Sequence, residues 1–182
     1  MIRKYALFKV FECLSNTTEE ESVRSLAKKA GVGVATAKRC FDYLLKKGIV
    51  KRKVIGRLYQ FRLDDENILT RQLKISLSIA GITESGLVDE LTAAYPQITS
   101  ITLFGSVAKG TDNPSSDIDI LIISRKPIRL KPLAAEKRLE RELSVVKYVH
   151  PDWRKKAKID KAFYDGVIIE GMSLYGELPV VK

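Results

Sequence analysis

Apolar residues recur at roughly helical spacing through the first fifteen positions. Ile2, Tyr5, Ala6, Phe8, Val10 and Leu14 make one stripe, which predicts an amphipathic helix. Thr18 with Glu21 three residues later has the form of a capping box. Val23, Leu26, Ala27 and Ala30 then give a second helix that stops at Gly31. A third starts at Val34, with Ala37, Phe41, Leu44 and Leu45 facing inward. It ends at Gly48 behind Lys46 and Lys47, cations that suit a helix C-terminus. Here the period changes from helical to two. IVKRKVI and LYQFRL flank Gly56-Arg57, the pattern of a hairpin with a two-residue turn.

Residues 64–83 form a different pattern. An acidic start is followed by Ile68, Leu69, Leu73, Ile75, Leu77 and Ile79, with no Gly/Ser or Pro-rich linker, so a helical connector is expected. Its apolar side either pairs two subunits through Leu69, Leu73 and Leu77 or packs on its own domain. Beyond it, ESGLVDELTAAYP reads as a helix ending before Pro96. SITLFGS and DIDILIIS read as strands, LAAEKRLERELS as a helix and SVVKYV as a third strand. DKAFYDGVIIEGMSLYGE reads as a last helix with a short tail. The expected fold class is α+β. Residues 1–63 form one domain, 64–83 a connector, and 84–182 a small α/β domain with a mixed sheet.

Charge sharpens this division. The formal net charge is +10, and residues 1–63 carry fifteen Lys/Arg against five Asp/Glu, so the whole excess lies there. A basic surface confined to one segment points to a polyanionic partner. Cys13 and Cys40 fall on apolar helix faces and read as buried thiols in a reducing compartment. With His150 the only histidine, a zinc site is not expected. No apolar run approaches the ~20 residues of a membrane span. The N-terminus lacks the apolar core of a signal peptide, so a cytoplasmic location away from membranes is the expectation.

Helix, helix, turn, helix, hairpin is the order of a winged helix-turn-helix, and residues 1–63 resemble that family. On the third helix, Ala35, Thr36, Lys38, Arg39 and Asp42 lie opposite the apolar stripe. Such a helix would enter the major groove of double-stranded DNA with its N-terminal half nearest the bases. Thr36 and Arg39 would meet base edges and Lys38 a phosphate. Lys51, Arg52, Lys53 and Arg57 on the wing would reach backbone or minor groove. The competing reading is a solvated basic face.

The stretch LFGSVAKGTDNPSSDIDILII raises the central chemical question. Asp117 and Asp119 sit one residue apart at the head of an apolar strand. Alternation puts both on one face, while Ile118 and Ile120 pack inward. Adjacent carboxylates repel, and a divalent cation relieves the repulsion. Gly105 lets backbone approach a phosphate closely, and Ser106 offers an N–H and a hydroxyl. Lys109, one turn on, can meet phosphate charge. An anion cradle beside a carboxylate pair suits a nucleoside triphosphate with its metal. The competing reading is a solvated strand end after a loop.

Gly-Ser, ten residues, Asp-x-Asp resembles the nucleotidyltransferases of the DNA polymerase beta superfamily, above all the minimal kind, over about residues 84–182. The resemblance implies that Gly105 and Ser106 hold the triphosphate and that Asp117 and Asp119 are catalytic and bind Mg²⁺ or Mn²⁺. It implies a third acidic residue on a later strand, and transfer of a nucleotide to an acceptor hydroxyl with release of pyrophosphate. A winged helix joined to this domain resembles an arrangement of archaeal proteins, so an archaeal source is expected.

One departure stands out. Aligning SVVKYVHPDW with the family's pattern puts Lys147 at the third acidic position, with Glu142 at a helix end and Asp152 in a loop as the nearest acids. Two functions from different classes follow. One is an enzyme transferring a nucleotide, with a partner protein as one acceptor. The other is a DNA-binding regulator whose second domain only binds nucleotide or dimerises.

Overall fold

The structure is a computed structural model that describes residues 4–56, 58–139 and 141–181. Two compact units divide at Ala80/Gly81. The first contains α1 (Ala6–Ser15), β1 (Glu21–Ser22), α2 (Val23–Lys29), α3 (Val34–Lys46), β2 (Val50–Ile55) and β3 (Leu58–Leu63). Its small antiparallel sheet has the order β1-β3-β2. This is a winged helix-turn-helix. Val10, Phe11, Leu14, Leu26, Ala37, Phe41, Leu44 and Phe61 share its core, where the Phe41 and Phe61 rings stack with centroids 4.4 Å apart.

Local signals explain the helix ends. Gly48 takes a φ of +68°, while its N–H bonds Leu45 O and the Ile49 N–H bonds Leu44 O. That closes α3 with a Schellman motif and tucks Ile49 into the core. Three expectations change here. The Thr18–Glu21 capping box does not form: Ser22 caps α2 by accepting from the Ser25 N–H. Glu21 and Ser22 instead pair with Phe61 and Gln60 of β3, because the third strand needs an edge partner. Val34, expected to face inward, is half exposed in the first turn of α3, while Cys40 is buried as its place on the apolar face predicts.

A single helix, α4 (Ile68–Ser85), crosses the division between units. It begins at Ile68, after the DDE segment. Asn67 Oδ1 accepts from the Leu69 N–H, and the Asn67 amide donates to Gly48 O at 2.9 Å. Leu77 is buried in the first core and Leu73 packs against it, so these two face their own unit and not a second subunit. Of the three leucines expected at a dimer seam, Leu69 alone is strongly exposed.

The second unit continues with α5 (Leu87–Ala94), β4 (Ile98–Phe104), α6 (Gly105–Lys109), β5 (Ile118–Ser124) and β6 (Leu143–Val149). It ends with α7 (His150–Ile159), α8 (Lys161–Glu170) and β7 (Met172–Gly176). The sheet order is β6-β5-β4-β7, with β5 and β6 parallel and the other pairs antiparallel. The sheet is mixed, as the sequence predicts, and gains a fourth strand, β7, where the pattern predicts a tail. The segment read as a helix over LAAEKRLERELS is only a 3-10 turn, Ala134–Arg138. Glu90 holds this turn by accepting from the Ala134 and Ala135 N–H groups, which also draws its carboxyl below the usual range.

β5 is buried on both faces. Ile118, Ile120 and Ile122 fill one side; Leu121 and Ile123 meet Trp153, Phe163, Tyr164 and Val167 of α7 and α8 on the other. Trp153 is structural, its indole N–H donating to Pro179 O. No helix among the described residues is long and apolar enough to cross a membrane.

Candidate functional site

β4 runs into a turn that only glycine fits. Gly105 has a φ of +75°, and a Cβ there would collide with the carboxylate of Asp119. Strand pairing explains the meeting, because Phe104 is the register partner of Asp119. The Gly-Ser turn and the second aspartate are therefore packed against each other at one end of the two central strands. Ser106 and Lys109 continue into α6, whose Val107 and Ala108 anchor it inward.

Asp117 is exposed and immediately precedes β5; Asp119 is partly buried within it. Between them Ile118 is buried, so alternation turns both carboxylates to the face of α7 and α8. The loop from Gly110 to Ser116, which follows α6, is tied to itself. Asn113 Oδ1 accepts from the Ser115 N–H and hydroxyl, and the Asn113 N–H donates to Ser116 Oγ. Asp112, almost fully buried, meets Arg141 at 2.7 Å and pins the loop beside the start of β6. This buried ion pair, which holds the loop between the two halves of the motif, was not anticipated from the sequence.

Lys109 is less free than expected, since its Nζ lies 3.3 Å from Glu170 Oε2 at the end of α8. Lys147 is misplaced in the sequence reading. It is the register partner of Ile122, three residues beyond Asp119 and on the opposite face of the sheet. Ser144 is the partner of Asp119. Glu142 is exposed in the segment before β6, not at a helix end. Asp152 lies in the first turn of α7, not in a loop, beyond the far end of the strand. Only the parallel register identifies Ser144; no spacing in the sequence carries that information.

Two carboxylates with open coordination fit a hard divalent ion that completes its shell with phosphate oxygens and water. Among the described residues no three His, Cys, Asp or Glu side chains converge into a protein-only metal site.

In the first unit, Ala35, Lys38, Arg39 and Asp42 are exposed on α3 and Thr36 is partly so. Arg52 stacks its guanidinium 4.8 Å above the Tyr59 ring. Lys51 and Lys53 are drawn to carboxylates: Lys51 lies 2.8 Å from Asp64, whose carboxyl it holds below its usual range, and Lys53 lies 3.4 Å from Glu20. Arg57 is outside the described residues.

The family model of the nucleotidyltransferase domain matches residues 84–174. No curated protein matches the chain. Among solved structures, it is similar to a MarR family transcriptional regulator from Silicibacter pomeroyi DSS-3. That similarity has 24% identity and a TM-score of 0.38, and covers 48% of this chain and 62% of the other. The chain thus spans less than two thirds of that regulator's length. It is also similar to Sso10a-2, a DNA-binding protein from Sulfolobus solfataricus, at 16% identity and a TM-score of 0.38. The coverage is 47% of this chain and 92% of that one. A mutant of the toxin-antitoxin MntA-HpeT is similar at 24% identity and a TM-score of 0.37, over 52% of this chain and 72% of that one.

Proposed function

The chain belongs to the nucleotidyltransferase domain family, and from that premise we propose that it transfers a nucleotide from a triphosphate to an acceptor hydroxyl while its winged helix holds double-stranded DNA. The observation that carries this reading is the contact of the Gly105 turn with the Asp119 carboxylate, which joins an anion cradle to a metal-ligand pair.

In this reading Gly105 and Ser106 present backbone N–H groups and a hydroxyl to the phosphate oxygens. Asp117 and Asp119 hold Mg²⁺ or Mn²⁺, which when bound offsets phosphate charge and orients the triphosphate. The acceptor oxygen forms a bond to the α-phosphorus. The bond from that phosphorus to the bridging oxygen breaks, and pyrophosphate leaves with the electron pair. The hydroxyl proton passes to a base in the surrounding water. Lys109 reaches the phosphates only by giving up Glu170.

The DNA part rests on the exposed Ala35, Lys38 and Arg39 and the partly exposed Thr36 on α3, with Arg52 and Lys53 on the wing. The test uses full-length protein, cell extract, Mg²⁺ and each of the four nucleoside triphosphates labelled at the α-phosphorus. Label transferred to protein or nucleic acid supports the reading and identifies the acceptor class. No transfer from any triphosphate removes the enzymatic half.

A further inference from the structure

The carboxylate of Asp119 has two lateral neighbours on its sheet face, Phe104 of β4 and Ser144 of β6. The face assignment is supported two and four residues on. Leu121 and Ile123 of β5 share one apolar cluster with Val146 and Tyr148 of β6. Ser144 is in phase with these residues, so its hydroxyl stands beside the carboxylate pair.

Phe104 is committed to packing, with its ring 5.5 Å from that of Phe163 in an edge-to-face contact. On the metal side of the site, Ser144 is therefore the position from which β6 could supply a further ligand. A serine hydroxyl is neutral. Two carboxylates balance one divalent charge, and a second ion bound a few ångströms away would need another anionic oxygen to offset the repulsion between cations. Glu142 accepts through its backbone O from the Ile118 N–H and so ends the ladder beside Asp117, two residues short of Ser144, and Asp152 lies beyond the far end of β6; among the described residues no third acidic side chain converges with the pair.

We infer that the site holds a single divalent ion together with the triphosphate, and that Ser144 leaves the place of a second ion without its anionic ligand. The inference rests on the proposed triphosphate site. In the two-ion scheme of phosphoryl transfer, one ion serves the attacking oxygen and the other the leaving group. With one ion, the triphosphate stays bound and oriented while proton removal from the acceptor hydroxyl falls to solvent or to the acceptor itself. The site is then a firm nucleotide binder and a slow transferase.

The deciding measurement is the number of Mn²⁺ ions bound per nucleotide. Full-length protein is dialysed against Mn²⁺ and a triphosphate analogue with a methylene bridge between the α and β phosphorus atoms. Bound metal is counted by electron paramagnetic resonance. One Mn²⁺ per bound nucleotide is expected for the unaltered chain and for Ser144→Ala, and two for Ser144→Asp. The Ser144→Asp chain should also transfer label at least about tenfold faster with Mg²⁺, a gain of about 1.4 kcal/mol in the barrier. Two ions in the unaltered chain, or one in a folded Ser144→Asp chain, overturn the inference and leave the triphosphate site standing. Absence of Mn²⁺-dependent nucleotide binding in the unaltered chain removes the triphosphate site and the inference with it. The count on the unaltered chain decides the matter even if Ser144→Asp fails to fold.

Discussion

The two units carry the residues of their proposed functions in opposite ways. In the winged helix they are dispersed: Ala35, Lys38, Arg39, Arg52 and Lys53 are all exposed, and no single one is packed into the core. In the second unit they are concentrated where three strands and a turn meet, with Gly105 against Asp119 and Ser144 beside it. Dispersed charge acts through a sum of weak, screened contacts, so the loss of one is tolerated. A packed site acts through a few groups whose positions depend on one another, so one substitution disables it.

The largest break in this comparison is the double change Asp117→Asn with Asp119→Asn. Neutral amides cannot balance the ion, so Mg²⁺-dependent nucleotide affinity should fall by more than about 100-fold, or about 3 kcal/mol. DNA affinity should stay unchanged. Calorimetry and a gel-shift assay on the same preparation check both halves, and a matching loss of DNA binding would deny that the functions are separate.

Gly105→Ala should come next. The left-handed backbone and the collision with Asp119 should together cost about 2 kcal/mol and push the carboxylate out of place. A lower thermal midpoint with weakened nucleotide binding is the expected pair of results; full retention of both would mean that turn and carboxylate are not coupled.

Arg39→Ala should weaken DNA binding by only about 1–2 kcal/mol. Lys38→Ala should act on the salt dependence instead, lowering the slope of log affinity against log salt by about one. Affinity titrations from low to physiological salt separate the two, and equal insensitivity of both variants would break the idea of a dispersed interface on α3.

The smallest effect concerns the scaffold. Glu21 is almost buried and forms an ion pair with Lys29; this hydrogen bond, with that of Ser25, holds its carboxyl below the usual range. A depressed carboxylate stabilises the fold above its unfolded pKa, and this contribution is lost as pH falls through the folded value. Glu21→Gln should therefore cost about 1 kcal/mol near neutrality and nothing once both chains are in acid below that value. Thermal midpoints across pH test this, and a gap between the chains that persists in acid would show that the charge is not its source.

Legibility differed between the units for a physical reason. The winged helix is built from short-range signals, so helical period, the glycine stop at Gly48 and the period-two hairpin could be seen in order. Its errors were local: Ser22 took the cap from Thr18, and Val34, in the first turn of α3, stayed half exposed. In the second unit, the Gly-Ser turn and Asp-x-Asp were visible because tight backbone approach and paired charge demand rare residue combinations. The placement of Lys147 failed because nothing local sets how far β6 slides along β5.

The sequence by itself determined the helical and two-residue periods of the first unit, the confinement of the excess positive charge to residues 1–63 and the spacing of Gly105, Ser106, Asp117 and Asp119 along the chain. These follow from periodicity, side-chain charge and backbone sterics, each acting over a few residues. The tertiary structure alone decided that Gly105 touches Asp119, that Leu77 belongs to the first core, and that Ser144, not Lys147, stands beside the carboxylates. A one-residue slip of β6 would have turned Ser144 away and brought a neighbour to that face. Parallel strands joined by a long crossover settle that register only through the packing of both sheet faces at once.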